Sequence, residues 1–287
     1  MKRWNSAGAG TLALLLLAGL AAPAQPQRAQ PAYEVYAISY GVIADFPVSA
    51  LIAGADPARR MDIQMMVWLL KGSGGRNILV DSGFYRQKFL DRWKPKNFVK
   101  PSEAIARLGL KPDEITDVII THAHWDHAGG ADLFPKARIW IQKDEYDYYR
   151  DPAHLARSGV DAEDIAALEQ AEREGRVHLV AGDADALIPG VRFFLGGRHT
   201  YASQFVGVET RTGTVVLASD NVYLYENLEK HIPIAQTSDA QANLAAQDRM
   251  RQIASRPELI VPGHDPEVFV RFPRLGNGVA RIAGPAN

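Results

Sequence analysis

The sequence predicts an α/β fold in which two β-sheets pack face to face with helices outside. Three observations carry that expectation. Apolar, β-branched runs of strand length gather in two groups, one in each half of the chain. Stretches with helical spacing lie between the groups and after the second. One strand-like run, "TDVIIT" (116–121), is apolar on both faces, as a strand covered on both sides must be, and it stops at a cluster of polar residues.

The elements follow in order. "YEVYAISYG" (33–41) alternates like a strand, and a long connection with Pro, Gly and Asp interruptions is expected after it. "IQMMVWLLKG" and "RNILVDSG" read as two strands joined at "SGG". "PSEAIARLGL" (101–110) reads as a short helix, with Ser102 as its cap and Gly109 as its end. "ARIWIQ" is the next strand. Helical stretches follow at "KDEYDYYRD", "PAHLARSG" and "DAEDIAALEQAEREG". The second group of strands is "RVHLVAG", "VRFFLGG", "SQFVGVET" and "GTVVLASD". A helix at "DAQANLAAQDRMRQIA" and a short strand at "ELIVPGHD" complete the pattern. No repeat and no low-complexity linker appears, so residues 25–287 are expected to form a single domain.

Residues 1–24 read differently. Lys2 and Arg3 precede an apolar run from Thr11 to Ala22, and small residues follow. That order is the signature of a secretory signal peptide cleaved after Ala24. The run is shorter than the ~20 residues a spanning helix needs, so no stable membrane anchor is expected. The expected location is periplasmic or secreted. The net charge of -1, with both signs interspersed, gives no footprint for nucleic acid. With no cysteine there is no disulfide and no thiol nucleophile. No G-x-S-x-G elbow supports a serine mechanism.

The polar cluster is "HAHWDH" (122–127), which takes three of the eight histidines. Imidazole and carboxylate are the ligands zinc takes when thiolate is missing, and four on one turn exceed what one ion needs from one segment. The spacing suggests two metals, with further ligands from elsewhere. His199 in "LGGRHTYAS", Asp220 at the end of "TVVLASD" and His264 in "VPGHD" each follow a strand-like run. His154, His178 and His231 read as surface or locally bonded residues.

"HAHWDH" followed by single His, Asp and His at long intervals resembles the metallo-β-lactamase superfamily, and "LVDSG" (79–83) is similar to its first motif. The resemblance implies an αββα sandwich. It implies that His122, His124 and His199 hold one metal and Asp126, His127 and His264 a second. Asp220 would bridge them, and Asp81 would orient ligands through hydrogen bonds. The implied cofactor is two zinc ions per chain, and iron, cobalt or manganese suit the same donors. The implied chemistry is attack of a metal-bridging hydroxide on a carbonyl or phosphoryl carbon or phosphorus, with Asp126 moving a proton to the leaving group.

Within the superfamily, the sequence is similar to N-acyl homoserine lactonases. Tyr223 stands three residues past Asp220, where those enzymes place a tyrosine over the substrate carbonyl. Position 220 is Asp where some β-lactamase subclasses carry Cys. "GGRHTYASQ" departs from the commoner "PGHTPGS", with Arg198 and Tyr201 in the changed positions. Phe46, Pro47, Leu51, Ile52 and Met61, with Trp125 and Phe84, are expected to line an apolar acyl groove or to be ordinary core. The resemblance also extends to a homodimer contact through this segment. The expected substrate is a small-molecule lactone, an acyl homoserine lactone first. The alternatives are another ester or ring, such as a β-lactam or a pyridoxolactone, and a relative that has kept the fold without catalysis. A phosphodiesterase would want converging basic residues, and only Lys230 and Arg198 offer themselves. Metal content separates enzyme from non-catalytic relative.

Overall fold

The computed structural model describes residues 1–2, 32–156 and 158–284. The expected leader lies outside the described residues from position 3 onward. The chain runs through β1 (Glu34–Pro47), β2 (Arg60–Lys71), β3 (Asn77–Val80), α1 (Gln87–Trp93), α2 (Pro101–Ala104) and β4 (Asp117–Ile119). It continues through α3 (Trp125–Ala128), β5 (Arg138–Gln142), α4 (Lys143–Tyr149), α5 (Ala162–Arg173) and β6 (Val177–Val180). Then come β7 (Ala184–Ile188), β8 (Val191–Leu195), β9 (Gln204–Thr210), β10 (Gly213–Ser219), α6 (Tyr225–Glu229) and α7 (Ala240–Ile253). The chain closes with β11 (Ile260–Pro262), α8 (Val268–Arg271), β12 (Arg274–Gly276) and β13 (Val279–Ala283).

Among the described residues, one sheet has the order β12-β13-β1-β2-β3-β4-β5-β6 and the other β11-β10-β9-β8-β7. Both are mixed: β1, β2 and β3 are antiparallel, β3 to β6 are parallel, and β11 runs parallel to β10. Between the sheets lies a core shared by Val35, Trp68 and Ile78 from one and Phe193, Val206 and Leu217 from the other. A second core, with Phe84, Phe134, Ile139 and Leu168, lies under the helices of the larger sheet. A third holds α7 to the smaller sheet through Met250, Val216 and Phe205. The layers are therefore helix, sheet, sheet, helix, which is the expected αββα sandwich.

Four local expectations are corrected. The first strand does not end at Gly41. It runs to Pro47, because Val42, Ile43 and Phe46 pair with Gln64, Ile63 and Met61, with register shifts between Ser39 and Gly41 and between Ile43 and Phe46. Ser102 does not cap a helix. Pro101 occupies the first turn and Lys100 the cap position, without a side-chain bond, while Gly109 ends the following 3-10 turn at φ 76° as expected. Among its described residues, "PAHLARSG" forms a 3-10 turn at Pro152–His154 rather than a helix, capped by the Asp151 carboxylate on the Ala153 N–H. The strands β7, β12 and β13 were not expected. They are short, and Gly and Pro beside them read as loop.

Candidate metal centre

β3, β4 and β10 end on the same edge of the sandwich, and β11 ends beside β10. The segments that follow these strands carry the polar cluster. After β4 the chain bends at Thr121 and His122, and His124, itself extended, is the cap residue of α3, so Asp126 and His127 sit in that one-turn helix. His199 follows β8. Gly197 lies against the backbone of Asn243 so closely that a Cβ there would collide with it. Asp220 directly follows β10, and His264 follows β11.

The structure brings all seven expected ligands together in two groups, His122, His124, His199 and Asp220 in one and Asp126, His127 and His264 in the other. His124 Nδ1 lies 3.1 Å from His122 Nε2 and 3.0 Å from His199 Nε2. Asp220 Oδ2 is 3.6 Å from His122 Nε2 and 3.3 Å from His199 Nε2. Its other oxygen, Oδ1, is 3.3 Å from His127 Nε2 and 3.1 Å from His264 Nε2. Asp126 Oδ2 stands 3.6 Å from His127 Nε2 and 3.7 Å from His264 Nε2. Asp220 thus offers one oxygen to each group. Four ligands around zinc at 2.0–2.1 Å lie about 3.3 Å from one another if tetrahedral, close to these spacings.

The remote ring nitrogens settle which atoms face inward. His124 Nε2 donates to the Ser158 carbonyl at 2.8 Å, His199 Nδ1 to the Gln236 carbonyl at 2.8 Å, and His264 Nδ1 to the Gln64 carbonyl at 3.0 Å. His127 Nδ1 donates to Asp81 Oδ2 at 2.8 Å. Thr121 Oγ1 gives its proton to the same carboxylate at 2.9 Å, so it accepts from His122 Nδ1 at 3.1 Å. Each ring proton therefore points outward, and five imidazole lone pairs and two carboxylates converge. Lone pairs at 3.0 Å with no proton between them repel. His127 Nε2 and Asp220 Oδ1 are buried without any hydrogen-bond partner. The donor set fits divalent cations on both sides of Asp220.

The electrostatics agree. Burial, and then the neighbouring imidazoles, hold His122 well below the usual imidazole range, and His124 is pushed down to about 3 by burial first and His199 next. Burial also opposes a charge on His127 and His264, yet Asp220 and Asp126 outweigh it and raise both. The hydrogen bonds demand an inward lone pair on these two rings, whereas the carboxylates draw a proton there. A cation resolves that conflict by taking the proton's place.

Asp81 lies beneath the centre at φ 60°, fully buried. Besides His127 and Thr121 Oγ1, its carboxylate accepts from the Thr121 N–H at 2.8 Å and from Ser219 Oγ at 3.1 Å. This is the orienting position expected for it. Tyr223 is buried, with its ring edge-on to His199 at 5.5 Å and tilted against His264 at 5.8 Å. Its phenol lies 3.4 Å from His199 Nδ1, whose proton already serves Gln236. Burial, then the charges of Asp220 and Asp126, raise the phenol well above its usual range, so it stays a proton donor.

A cavity of about 560 Å³ opens onto His124, Asp126, Asp220, Tyr223 and His264. Its apolar wall has Phe46 and Leu51, as expected, and also Phe89 and Trp93 of α1. Trp125 stacks with Phe89 at 4.6 Å and with Trp93 at 5.7 Å. Ile52 and Phe84 are buried core instead, and Met61 packs half-buried against that core. Pro47 ends β1 and does not line the cavity. Outside the centre, His154 donates to the Tyr148 carbonyl, His178 stacks on Trp140 and His231 pairs with Asp248. Arg198 spends its guanidinium on the Tyr201 carbonyl and Lys230 pairs with Glu226, so no basic pocket forms from them.

Thr121 and Ser219 were not anticipated as partners, although each stands next to a ligand in sequence. Ser158, Gln64 and Gln236 act through main-chain carbonyls, which leave no side-chain signal.

Fold and site together define a metal-dependent hydrolase with a dinuclear centre. The family model of the metallo-beta-lactamase superfamily matches residues 63–264, and the chain belongs to that superfamily. An N-acyl homoserine lactonase of Bacillus thuringiensis is 26% identical over 236 residues, spanning 76% of this chain and 88% of that protein. A crystal structure of a quorum-quenching N-acyl homoserine lactone lactonase superposes with a TM-score of 0.67 at 25% identity, covering 82% of this chain and 93% of that one. A B. thuringiensis lactonase mutant solved with N-decanoyl-L-homoserine at its active site gives 0.65 at 25% identity, covering 82% and 94%.

Proposed function

We propose that the protein opens the ring of a lactone by adding water to its carbonyl, with N-acyl homoserine lactones as the substrate class. The observation that carries this is a metal-type cluster, with a phenol donor, at the floor of an aromatic-walled cavity. The relatives named as lactonases support the same reading.

In this reading His122, His124, His199 and Asp220 would hold one cation, and Asp126, His127 and His264, with Asp220 shared, would hold the other. Zinc bound there would supply Lewis acidity toward water and toward the carbonyl. Zinc is supported by the histidine and carboxylate donors without thiolate. Tyr223 donates its phenol proton toward the carbonyl oxygen as negative charge develops on it. Asp126 accepts the proton released by the water and returns it to the ring oxygen as the C–O bond breaks. The product is a hydroxy acid, and at neutral pH one proton leaves per ring opened. Phe46, Phe89, Trp93 and Trp125 exclude water and hold the acyl chain. Export through the leader is part of the proposal, as is a homodimer; the basic start and short apolar run support the first.

The test is product identity. Incubation with N-decanoyl homoserine lactone is expected to add one water to the substrate mass, and chelation is expected to stop it. Hydrolysis at the amide, releasing the fatty acid, would overturn the lactonase reading.

A further inference from the structure

The buried acid Glu145 takes no part in the chemistry above. It sits in the first turn of α4, with none of its surface exposed. Its Oε1 accepts the Ala123 N–H at 2.9 Å, and its Oε2 accepts the Ala202 N–H at 2.6 Å. Ala123 lies between His122 and His124, and Ala202 is three residues past His199. One carboxylate therefore ties together the backbones of two segments distant in sequence that carry the three histidines of the first position. Its two backbone bonds are the largest of the contacts that offset its burial, ahead of the Thr200 hydroxyl and the His199 ring.

The same helix braces the third support of that position. Tyr148 stacks on Tyr201 at 3.9 Å and on His154 at 3.7 Å, both nearly parallel. His154 leads into Ser158, whose carbonyl fixes the His124 ring. No comparable link runs from α4 to His127 or His264 among the described hydrogen bonds.

We propose that Glu145 is a positioning residue that sets the spacing of the His122–His124 and His199 segments, and with it the metal affinity of the first position alone. This rests on the ligand assignment proposed above. In Glu145→Gln one oxygen becomes an NH2 group. Whichever way the amide turns, one of the two backbone N–H groups then faces a donor. The two segments lose their common anchor, while the ligands themselves are unchanged.

The experiment is a Zn²⁺ titration of metal-free protein against a chromophoric chelator, alongside melting of the metal-free state. Wild type should show two binding steps; a single step would refute the ligand assignment itself. In Glu145→Gln the first-position affinity should fall about 10- to 100-fold, as removal of outer hydrogen-bond partners does. The second-position affinity should stay within about threefold of wild type. Glu145→Asp keeps the charge but cannot span both N–H groups, and it should weaken the first position by a smaller factor. It also reads the ratio if the glutamine variant does not fold. Two steps in wild type with both weakened equally, or neither weakened, would overturn the role for Glu145, because loss of general stability does not separate the two positions.

Discussion

Replacing Tyr223 with phenylalanine removes one oxygen and little else. The ring is held between His199 and His264, so Phe keeps the packing. The phenol makes one close contact, 3.4 Å from a nitrogen whose proton is directed at Gln236. Its loss strands no buried partner in the free protein, and metal content and melting temperature should hold. The whole effect should fall on the transition state, where the phenol meets a developing oxyanion. A hydrogen bond to a charged group is worth about 1.5–3 kcal/mol, which is roughly 10- to 150-fold in rate. The ground-state carbonyl is neutral and gains less, so kcat should drop by that factor while KM moves little. Steady-state kinetics by pH-stat on a lactone series, with metal content measured on the same samples, reads all three quantities. Unchanged kcat at full metal loading would refute the donor role, and a fall in kcat matched by lost metal would show that the phenol supports His199 instead.

Three further outcomes are expected. Trp93→Ala opens the aromatic wall beside Trp125. If each buried methylene contributes about 0.8 kcal/mol, kcat/KM in wild type rises roughly fourfold per carbon. The variant should flatten that slope, and an unchanged slope places the acyl chain elsewhere. Gly159→Ala puts a Cβ 3.0 Å from the His124 ring at φ 80°. It should therefore displace His124 and cost first-position metal, and full retention of two ions contradicts this packing. Acid should remove the two ions in order. The raised His127 and His264 regain protons as pH falls, whereas His124, at about 3, does not compete over the same range. Lowering pH from about 8 to about 5 across the imidazole range should empty the second position first, and simultaneous loss of both ions would refute the difference.

The ligand set was legible because histidine is scarce and each ligand follows an apolar run. The strand pattern gives the edge where β3, β4, β10 and β11 end, and the ligands stand there. Tyr223 was legible only by its place after Asp220. The acyl wall was half legible. Phe46 and Leu51 lie in a segment with no other evident duty, but Phe89 and Trp93 sit on α1, a short helix to which the sequence reading assigns no element. Glu145 carried no signal, since a charged residue in "KDEYDYYRD" reads as a solvated helix face, and only the approach of two ligand segments buries it. The extension of β1 to Pro47 was hidden by its register shifts, which break the two-residue period that marks a strand. The lone short strands β7 and β12 depend on pairing partners rather than on their own composition.

The central claim is that a lactone is opened only when both donor groups that meet at Asp220 hold a cation. The most direct measurement is proton release from a long-chain N-acyl homoserine lactone as metal-free protein is titrated with Zn²⁺. The account predicts little activity at one equivalent, a rise that saturates at two per chain, and loss of all of it with chelator. Two ions bound with no ring opening would contradict it, as would full activity at one.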